Sequence, residues 1–275
     1  MKKLIGLTLI GAVVAGCATT LTGRNQLMIV SPDSAIVESK KAYASTVGEL
    51  DQSNQLVTDA QWVNRIETIT GRLVTEAIKL DPKTKDWAWS VAIIDDPDTL
   101  NAWCMAGGRM AIYTGIVTQL NLTDDEIAQI MGHEISHALA NHTAERMSRA
   151  VLMNGALAAT AVMTDNNGYV LSGTAMAAKL ALELPNSRTA ESEADEIGIE
   201  LATRAGYNPD AAVSLWEKMA KAGGGSGPEF LSTHPSPGNR AATLDKLGEK
   251  MLPLNPQLKK SAVYPVTIVT DSSEV

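Results

Sequence analysis

One stretch of this 275-residue chain constrains its fold more than any other, the pattern His-Glu-x-x-His at 133–137. Thr123 and Glu126 ahead of it form a capping-box pattern, and the acidic residues between them suit the positive end of a helix dipole. Apolar residues then recur at helical spacing, namely Ile127, Ile130, Met131, Ile135 and Ala138. The sequence therefore predicts a helix that begins after Thr123 and carries the whole pattern.

On such a helix His133 and His137 project from one face, roughly 40° apart, because four residues turn through about 400°. Two imidazoles so placed can bind one metal ion, and Glu134 is placed to polarise a water molecule at that ion. The alternative is two surface histidines that match a short pattern by chance. Because the whole chain holds only 4 histidines, we favour the metal site.

A catalytic zinc ion usually has three protein ligands and an open fourth position. His142 is a poor candidate for the third ligand, since five residues beyond His137 is about 500° along a helix and points it roughly 140° away. We interpret His142 as a packing or hydrogen-bonding residue.

The acidic run at 191–196 is a better source of the third ligand. Glu191 and Asp195 lie one helical turn apart and share a face, whereas Glu193 lies on the opposite side. One carboxylate can bind the ion while the other orients a ligand imidazole. A solvated acidic helix face would be the preferred interpretation if the two histidines were absent. With them, Glu191 is the favoured ligand.

Residues 1–16 have the features of a bacterial signal peptide. Two lysines precede an apolar run at 4–14 that is too short to span a bilayer, and the sequence that ends at Cys17 resembles a lipobox. We expect Cys17 to be lipidated, with residues 17–35 as a tether; a short buried helix is the alternative. Ala18 in place of Asp resembles the pattern sorted to the outer membrane. The expected location is the bacterial cell envelope, at the outer membrane and facing the periplasm.

Removal of this leader would take away two lysines and change the formal net charge from −8 to −10. An acidic body without a basic stripe argues against nucleic acid as a partner, so the expected contacts are with the membrane, through Cys17, and with polypeptides. Cys104 would then have no intramolecular partner, and we interpret it as a small, partly buried hydrophobic residue. These features do not predict an oligomeric state.

Hydrophobic periodicity predicts a mainly helical chain with a few short strands. Helices are expected at 33–50, 59–80, 116–120, 189–204, 208–222 and 240–251, and strands at 87–94 and on both sides of Gly107-Gly108. The apolar stretches at 150–163 and 170–184 are interpreted as buried or pocket-covering helices, with a membrane-facing lid as the alternative. We expect one domain over 36–251 and an extended tail over 252–275.

These motifs resemble the M48 family of zinc metallopeptidases, in its secreted lipoprotein type. The segment at 133–137 is followed by Ser187-Arg188-x-x-Glu191-x-Glu193-Ala194-Asp195, which is similar to a second family motif. Further similar segments are Thr22 to Leu27, Asn101 to Gly115, and Ser232 to Arg240. The resemblance therefore covers residues 22 to about 250 and depends on no single short motif.

The resemblance implies an α+β, mainly helical gluzincin (zincin-like) fold with a small β-sheet beside the active-site helix. It implies one Zn2+ ion per chain. The implied ligands are His133, His137 and Glu191, the implied general base is Glu134, and Asp195 is expected to orient a ligand.

The resemblance also implies roles for residues near the active-site cleft. His234 is implied to lie near the metal, where it could stabilise the oxyanion or occupy the open position in a resting state, and Arg240 is implied to bind substrate backbone. We also expect the strand that contains Gly108, Arg109 and Met110 to present an edge onto which an extended peptide adds. The segment Trp103-Cys104-Met105 departs from the family's more ordinary apolar run and leaves the side-chain preference open.

The predicted function is zinc-dependent hydrolysis of peptide bonds in unfolded or damaged envelope proteins, in which Glu134 moves a proton from water to the departing amine. The alternative is a zinc-binding chaperone-like or assembly-factor lipoprotein with little or no proteolytic activity, its cleft closed by His234 or by residues 150–184. A structural zinc site usually has four ligands and needs no base, so the ligand set and Glu134 together favour the peptidase.

Overall fold

The computed structural model describes residues 17–164, 168, 172, 184–222, 229–234 and 239–275. Its helices in these ranges are α1 (Pro32–Gln52), α2 (Ala60–Leu80), α3 (Thr114–Gln119), α4 (Asp124–Leu139), α5 (His142–Met163), α6 (Leu184–Arg204), α7 (Ala211–Ala222), α8 (Glu229–Thr233) and α9 (Arg240–Met251). The strands are β1 (Cys17–Thr19), β2 (Asn25–Leu27), β3 (Ser90–Ile94), β4 (Ala102–Met105), β5 (Arg109–Tyr113) and β6 (Thr267–Val269). The architecture is thus α+β and mainly helical, as predicted.

A four-stranded sheet has the strand order β4-β5-β3-β6. β4 and β5 form the predicted antiparallel hairpin, and Gly107 and Gly108 at its turn both have a positive φ, which glycine adopts without strain. β5 also pairs in parallel with β3, so both of its sides are hydrogen-bonded within the sheet. The prediction that the strand after Gly108 is an edge strand is therefore wrong. The edge strands of this sheet are β4 and β6.

The segments before and after the predicted domain both contribute to the fold. The tail beyond Met251 was expected to be extended, but it supplies β6, which pairs in parallel with β3. The expected tether instead forms an antiparallel hairpin of β1 and β2. Arg24, in the turn of that hairpin, makes salt bridges with the buried Glu145 and Glu193. Neither segment is a free appendage.

Helix α4 begins where the capping box predicts. The side chain of Thr123 accepts a hydrogen bond from the backbone N–H of Glu126, whose carboxylate accepts one from the backbone N–H of Thr123 at 2.9 Å. The predicted apolar positions of α4 are buried in the main hydrophobic core, together with side chains of α2, β3 and β5. Burial of each large apolar side chain contributes roughly 1.5–3 kcal/mol, so this helix is a rigid support.

Helices α4 and α6 are in backbone contact at two glycines. A Cβ atom on Gly132 would lie 2.9 Å from the carbonyl oxygen of Gly198, and a Cβ on Gly198 would lie 2.8 Å from the backbone nitrogen of His133. Any larger residue would push the two helices apart. Because Glu191, Asp195 and Gly198 share one face of α6, this contact brings both carboxylates to the histidine face of α4.

Two predictions concern residues outside the described ranges: the signal peptide at 1–16 and most of the apolar stretch at 170–184. Where the chain is described, none of its helices combines the length and the apolar character that crossing a bilayer requires.

Candidate metal centre

Four side chains direct one donor atom each towards a common point. His133 and His137 lie on α4, Glu191 lies on α6, and His234 follows directly after α8. Their donor atoms all lie within 4.8 Å of one another. The structure therefore brings together the three predicted ligands and adds His234 to them.

The spacing of these atoms is that of a zinc site. Nε2 of His133 lies 3.1 Å from Nε2 of His137 and 3.3 Å from Oε2 of Glu191, and Nε2 of His137 lies 3.5 Å from Oε1 of Glu191. Nδ1 of His234 lies 3.3 Å from Nε2 of His133 and 3.2 Å from each oxygen of Glu191. Zinc–nitrogen bonds of about 2.0–2.1 Å give a tetrahedron whose edges are about 3.3 Å. The donor types and their separations therefore fit zinc.

The electrostatic environment differs between the two histidines of α4. Burial alone would lower the pKa of His133, but its hydrogen bonds with Asp195 and Glu191 outweigh burial and raise that pKa to about 9. Burial and the neighbouring His133 and His142 hold the pKa of His137 well below its usual value. Burial alone would raise the pKa of Glu191, but hydrogen bonds with His133 and His234 lower it overall. The site thus favours an ionised Glu191, and His133 binds a proton more readily than His137 does.

Asp195 contacts His133 on the ring nitrogen that faces away from the ligand group. Nδ1 of His133 lies 3.0 Å from Oδ1 of Asp195, so its Nε2 faces the ligand group, as predicted for an orienting carboxylate. Arg240 donates to the same oxygen of Asp195 at 2.6 Å and stacks over Trp216, with its guanidinium 4.7 Å from the ring centre.

Arg240 is held beside the ligand group by two acids. The residue is 5% exposed, and its Nη1 lies 3.8 Å from Oε2 of Glu191. Nε and Nη1 of Arg240 make no hydrogen bond within the described residues. Arg240 supports the acid that orients His133, and its expected role in binding substrate backbone stays a prediction.

Glu134 has the environment that a proton carrier needs. It is 2% exposed, and its Oε1 accepts no hydrogen bond from the described residues, although it lies 3.4 Å from Nε2 of His234. Burial raises the pKa of this carboxyl group above its ordinary value. A raised pKa makes the carboxylate a stronger base towards a water molecule at the ligand group.

His142 is a hydrogen-bonding residue, as interpreted, but its direction was predicted wrongly. Helix α4 ends at Leu139, and Asn141 adopts a left-handed conformation with φ 56°. The chain therefore turns back, and Nδ1 of His142 reaches Nδ1 of His137 at 2.7 Å. The 500° estimate assumed a continuous helix. An Asn at this point is the sequence signal that could have indicated the break, since Asn tolerates this conformation.

A cleft of about 380 Å3 opens in front of the ligand group. Its lining includes the segment 101–104, which contains part of the edge strand β4, and Ala150 and Met153 of α5. Glu134, His137 and His234 also line this cleft.

The predicted substrate-binding strand lies elsewhere. Arg109 is 8% exposed and Met110 is fully buried, while a Cβ on Gly108 would meet the Trp89 ring at 2.5 Å. Gly108 lies at the hairpin turn and Arg109 and Met110 lie on the inner strand β5, so the prediction that a peptide adds as a strand at these residues is wrong. The same sheet offers β4 instead.

Cys104 lies on β4 as a buried residue, as interpreted. Burial, with a smaller contribution from the nearby Glu134, raises the pKa of its thiol well above the usual range. The side chain therefore stays a neutral thiol and packs as a small hydrophobic group.

Comparison with known proteins gives a consistent result. The model of the family described as peptidase family M48 matches residues 61–248 of this chain. The chain is 31% identical over 239 residues to "Metalloendopeptidase OMA1, mitochondrial" of Bos taurus, which covers 82% of this chain and 45% of that protein. It is 25% identical to "Metalloprotease YcaL" of Escherichia coli, covering 83% and 92%, and 27% identical to "Beta-barrel assembly-enhancing protease" of Yersinia pestis, covering 75% and 43%. The chain thus spans about half the length of the mitochondrial relatives that it matches.

Proposed function

This chain belongs to peptidase family M48, a family of zinc metallopeptidases, and we propose that it is an endopeptidase that hydrolyses unfolded or damaged polypeptides of the bacterial envelope. The observation that carries the proposal is the convergence of His133, His137 and Glu191 beside the buried carboxylate of Glu134. The relatives are named as proteases, so the non-enzymatic alternative is not favoured.

The residues of this chain divide the chemistry among them. Zinc held by His133, His137 and Glu191 would act as a Lewis acid towards water and the peptide carbonyl. Glu134 takes a proton on Oε1, the atom that accepts no hydrogen bond from the described residues, and later delivers it to the leaving amine. Asp195, braced by Arg240, keeps Nε2 of His133 directed at the ligand group.

An extended peptide fits the free edge of β4. The outer side of β4 has no partner strand in the described sheet, and three residues of β4 line the cleft together with Glu134. A peptide that adds there as an extra strand gains backbone hydrogen bonds with little demand on its sequence. Unfolded segments offer such strands and folded proteins do not, which is the physical basis for the proposed role in protein quality control.

The proposed location comes from the N-terminal sequence. A lipidated Cys17 would attach the domain to the outer membrane on its periplasmic side. Incorporation of labelled palmitate that is lost in Cys17→Ser would support this anchor, and equal labelling of both proteins would contradict it.

The proposed activity is tested by metal removal. Purified full-length protein is expected to degrade casein, an unfolded substrate, and 1,10-phenanthroline should reduce the rate to background because it removes the Lewis acid. Added zinc should restore the rate. A protein that binds zinc and suppresses aggregation of a client but cleaves no casein would instead support the chaperone-like alternative.

His234 bears on how the site is regulated. Its Nδ1 lies among the three ligand atoms and its Nε2 lies 3.4 Å from Glu134, so it occupies the place that a water molecule needs. Of the two roles predicted for it, this geometry favours occupation of the open position in a resting state.

His234→Ala is therefore expected to raise kcat/KM for casein. If the open form is about a tenth of the resting population, the gain is roughly tenfold. Steady-state rates at equal zinc content provide the measurement. Ser232→Ala is the control, because Ser232 is an exposed residue close to His234 in the chain. A fall in the rate with zinc retained would instead assign His234 to the oxyanion.

A further inference from the structure

A second network of buried polar groups lies on the side of α6 that faces away from the ligand group. It joins His142, Glu145 and Glu193 to Arg24, which lies in the turn between β1 and β2. His142, Glu145 and Glu193 are 6%, 2% and 5% exposed, respectively. The chemistry proposed above uses none of these residues.

The network begins at a metal ligand. Nε2 of His137 faces the ligand group, so a proton on this ring must sit on Nδ1. Nδ1 of His137 is 2.7 Å from Nδ1 of His142, and it can donate there only if the latter nitrogen is unprotonated. His142 then carries its proton on Nε2 and donates it to Oε2 of Glu193 at 3.1 Å. One assignment of protons therefore satisfies every nitrogen in the path.

Glu193 is fixed by the hairpin. Its Oε2 accepts from Nε of Arg24 at 2.8 Å, and its Oε1 accepts from the hydroxyl of Thr22. The two remaining nitrogens of Arg24 donate to the oxygens of Glu145 at 2.9 and 2.7 Å. One guanidinium thus bridges two buried carboxylates, each of which would be costly to leave unpaired.

We propose that His142, Glu193 and Arg24 form a positioning relay that fixes the tautomer and orientation of the zinc ligand His137. The β1–β2 hairpin is then a structural part of the metal centre. This inference rests on the proposed function, since it requires zinc at His137.

The relay gives the two ligand histidines equivalent support by different means. His133 meets Asp195 directly, and Arg240 braces that acid. The break after Leu139 instead inserts His142 between His137 and its acid, Glu193, and Arg24 braces that acid. Partners of this kind raise the basicity of a ligand imidazole and hold its ring, and their loss typically costs about 10–100-fold in metal affinity.

The experiment measures the zinc dissociation constant of full-length variants by competition with a chromophoric chelator. His142→Leu removes both hydrogen bonds, whereas the side-chain amide in His142→Gln can accept one and donate one. We expect His142→Leu to weaken zinc binding by about 10–100-fold and His142→Gln to recover most of that loss. The visible absorption spectrum of the cobalt-substituted protein should differ from that of the wild type more in His142→Leu than in His142→Gln.

Substitution of Arg24 provides a second, independent test of the relay. Arg24→Met should weaken zinc binding in the same direction, although this residue does not contact the ligand group. Arg65→Met is the matched control, because Arg65 pairs with Asp124 at the surface. If Arg24→Met does not fold, Thr22→Val, which removes one hydrogen bond to Glu193, takes its place with a smaller expected loss.

The outcomes separate the two proposals. Wild-type protein that binds zinc no more tightly than folded His142→Leu would overturn the relay alone. A His142→Gln protein no better than His142→Leu would do the same, since a packing role would not be restored by hydrogen bonding. Wild-type protein that binds no zinc would overturn the proposed function and the relay together.

Discussion

Glu134→Gln is expected to abolish peptide hydrolysis while zinc binding stays intact. The amide keeps the size of the side chain but cannot take a proton from water, and loss of general acid–base catalysis alone costs about 10²–10⁴-fold in rate. Zinc should stay bound because Glu134 is not among the four grouped donor residues. Removal of a buried carboxyl with a raised pKa should not destabilise the fold, since a neutral amide is easier to bury than a carboxylate.

Casein degradation and zinc content should be measured on the same preparations. Glu229→Gln is a suitable control, because Glu229 is an exposed acid at the start of the short helix that leads to His234. Its activity should match the wild type. Turnover retained by Glu134→Gln would remove the general-base assignment, and loss of zinc in that variant would mean that Glu134 belongs to the ligand set.

Local patterns in the sequence were sufficient for much of this centre. Thr123 and Glu126 fixed the start of α4, and helical periodicity then placed His133 and His137 on one face. The same periodicity on α6 separated Glu191 from Glu193. These predictions succeeded because each depends on a few consecutive residues within one helix, where the geometry is constant.

The failures arose where distant segments meet. Sequence alternation indicated β5 but not its order in the sheet, which depends on β3 and on β6 from the C-terminal segment. The acid Glu193 was assigned to the face opposite the metal, which is correct, but only the fold shows that the hairpin covers this face. The contact of Arg240 with Asp195 could not be predicted either, because these two residues lie on different helices that only the fold brings together.

Glu191→Ala is expected to remove zinc from the purified protein. Structural zinc sites bind with about 10–16 kcal/mol through four ligands, which is about 3 kcal/mol for each ligand and roughly 10²–10³-fold in affinity. The loss should be large because no other acid belongs to the group of donor atoms in the described residues. Elemental analysis after dialysis would then show a fall from one zinc per chain to nearly none.

Two neighbours on the same helix make this test specific for ligation rather than for charge. Glu196 pairs with Lys250 at the surface, so Glu196→Ala should leave zinc content unchanged although it removes the same charge. Glu193→Ala should give an intermediate loss, because Glu193 acts on the metal only through His142 and His137. Equal losses in Glu191→Ala and Glu193→Ala would contradict the choice of ligand. We expect the loss of zinc to be largest for Glu191→Ala, smaller for Glu193→Ala and absent for Glu196→Ala. This order follows from the number of contacts that separate each carboxylate from the ligand group.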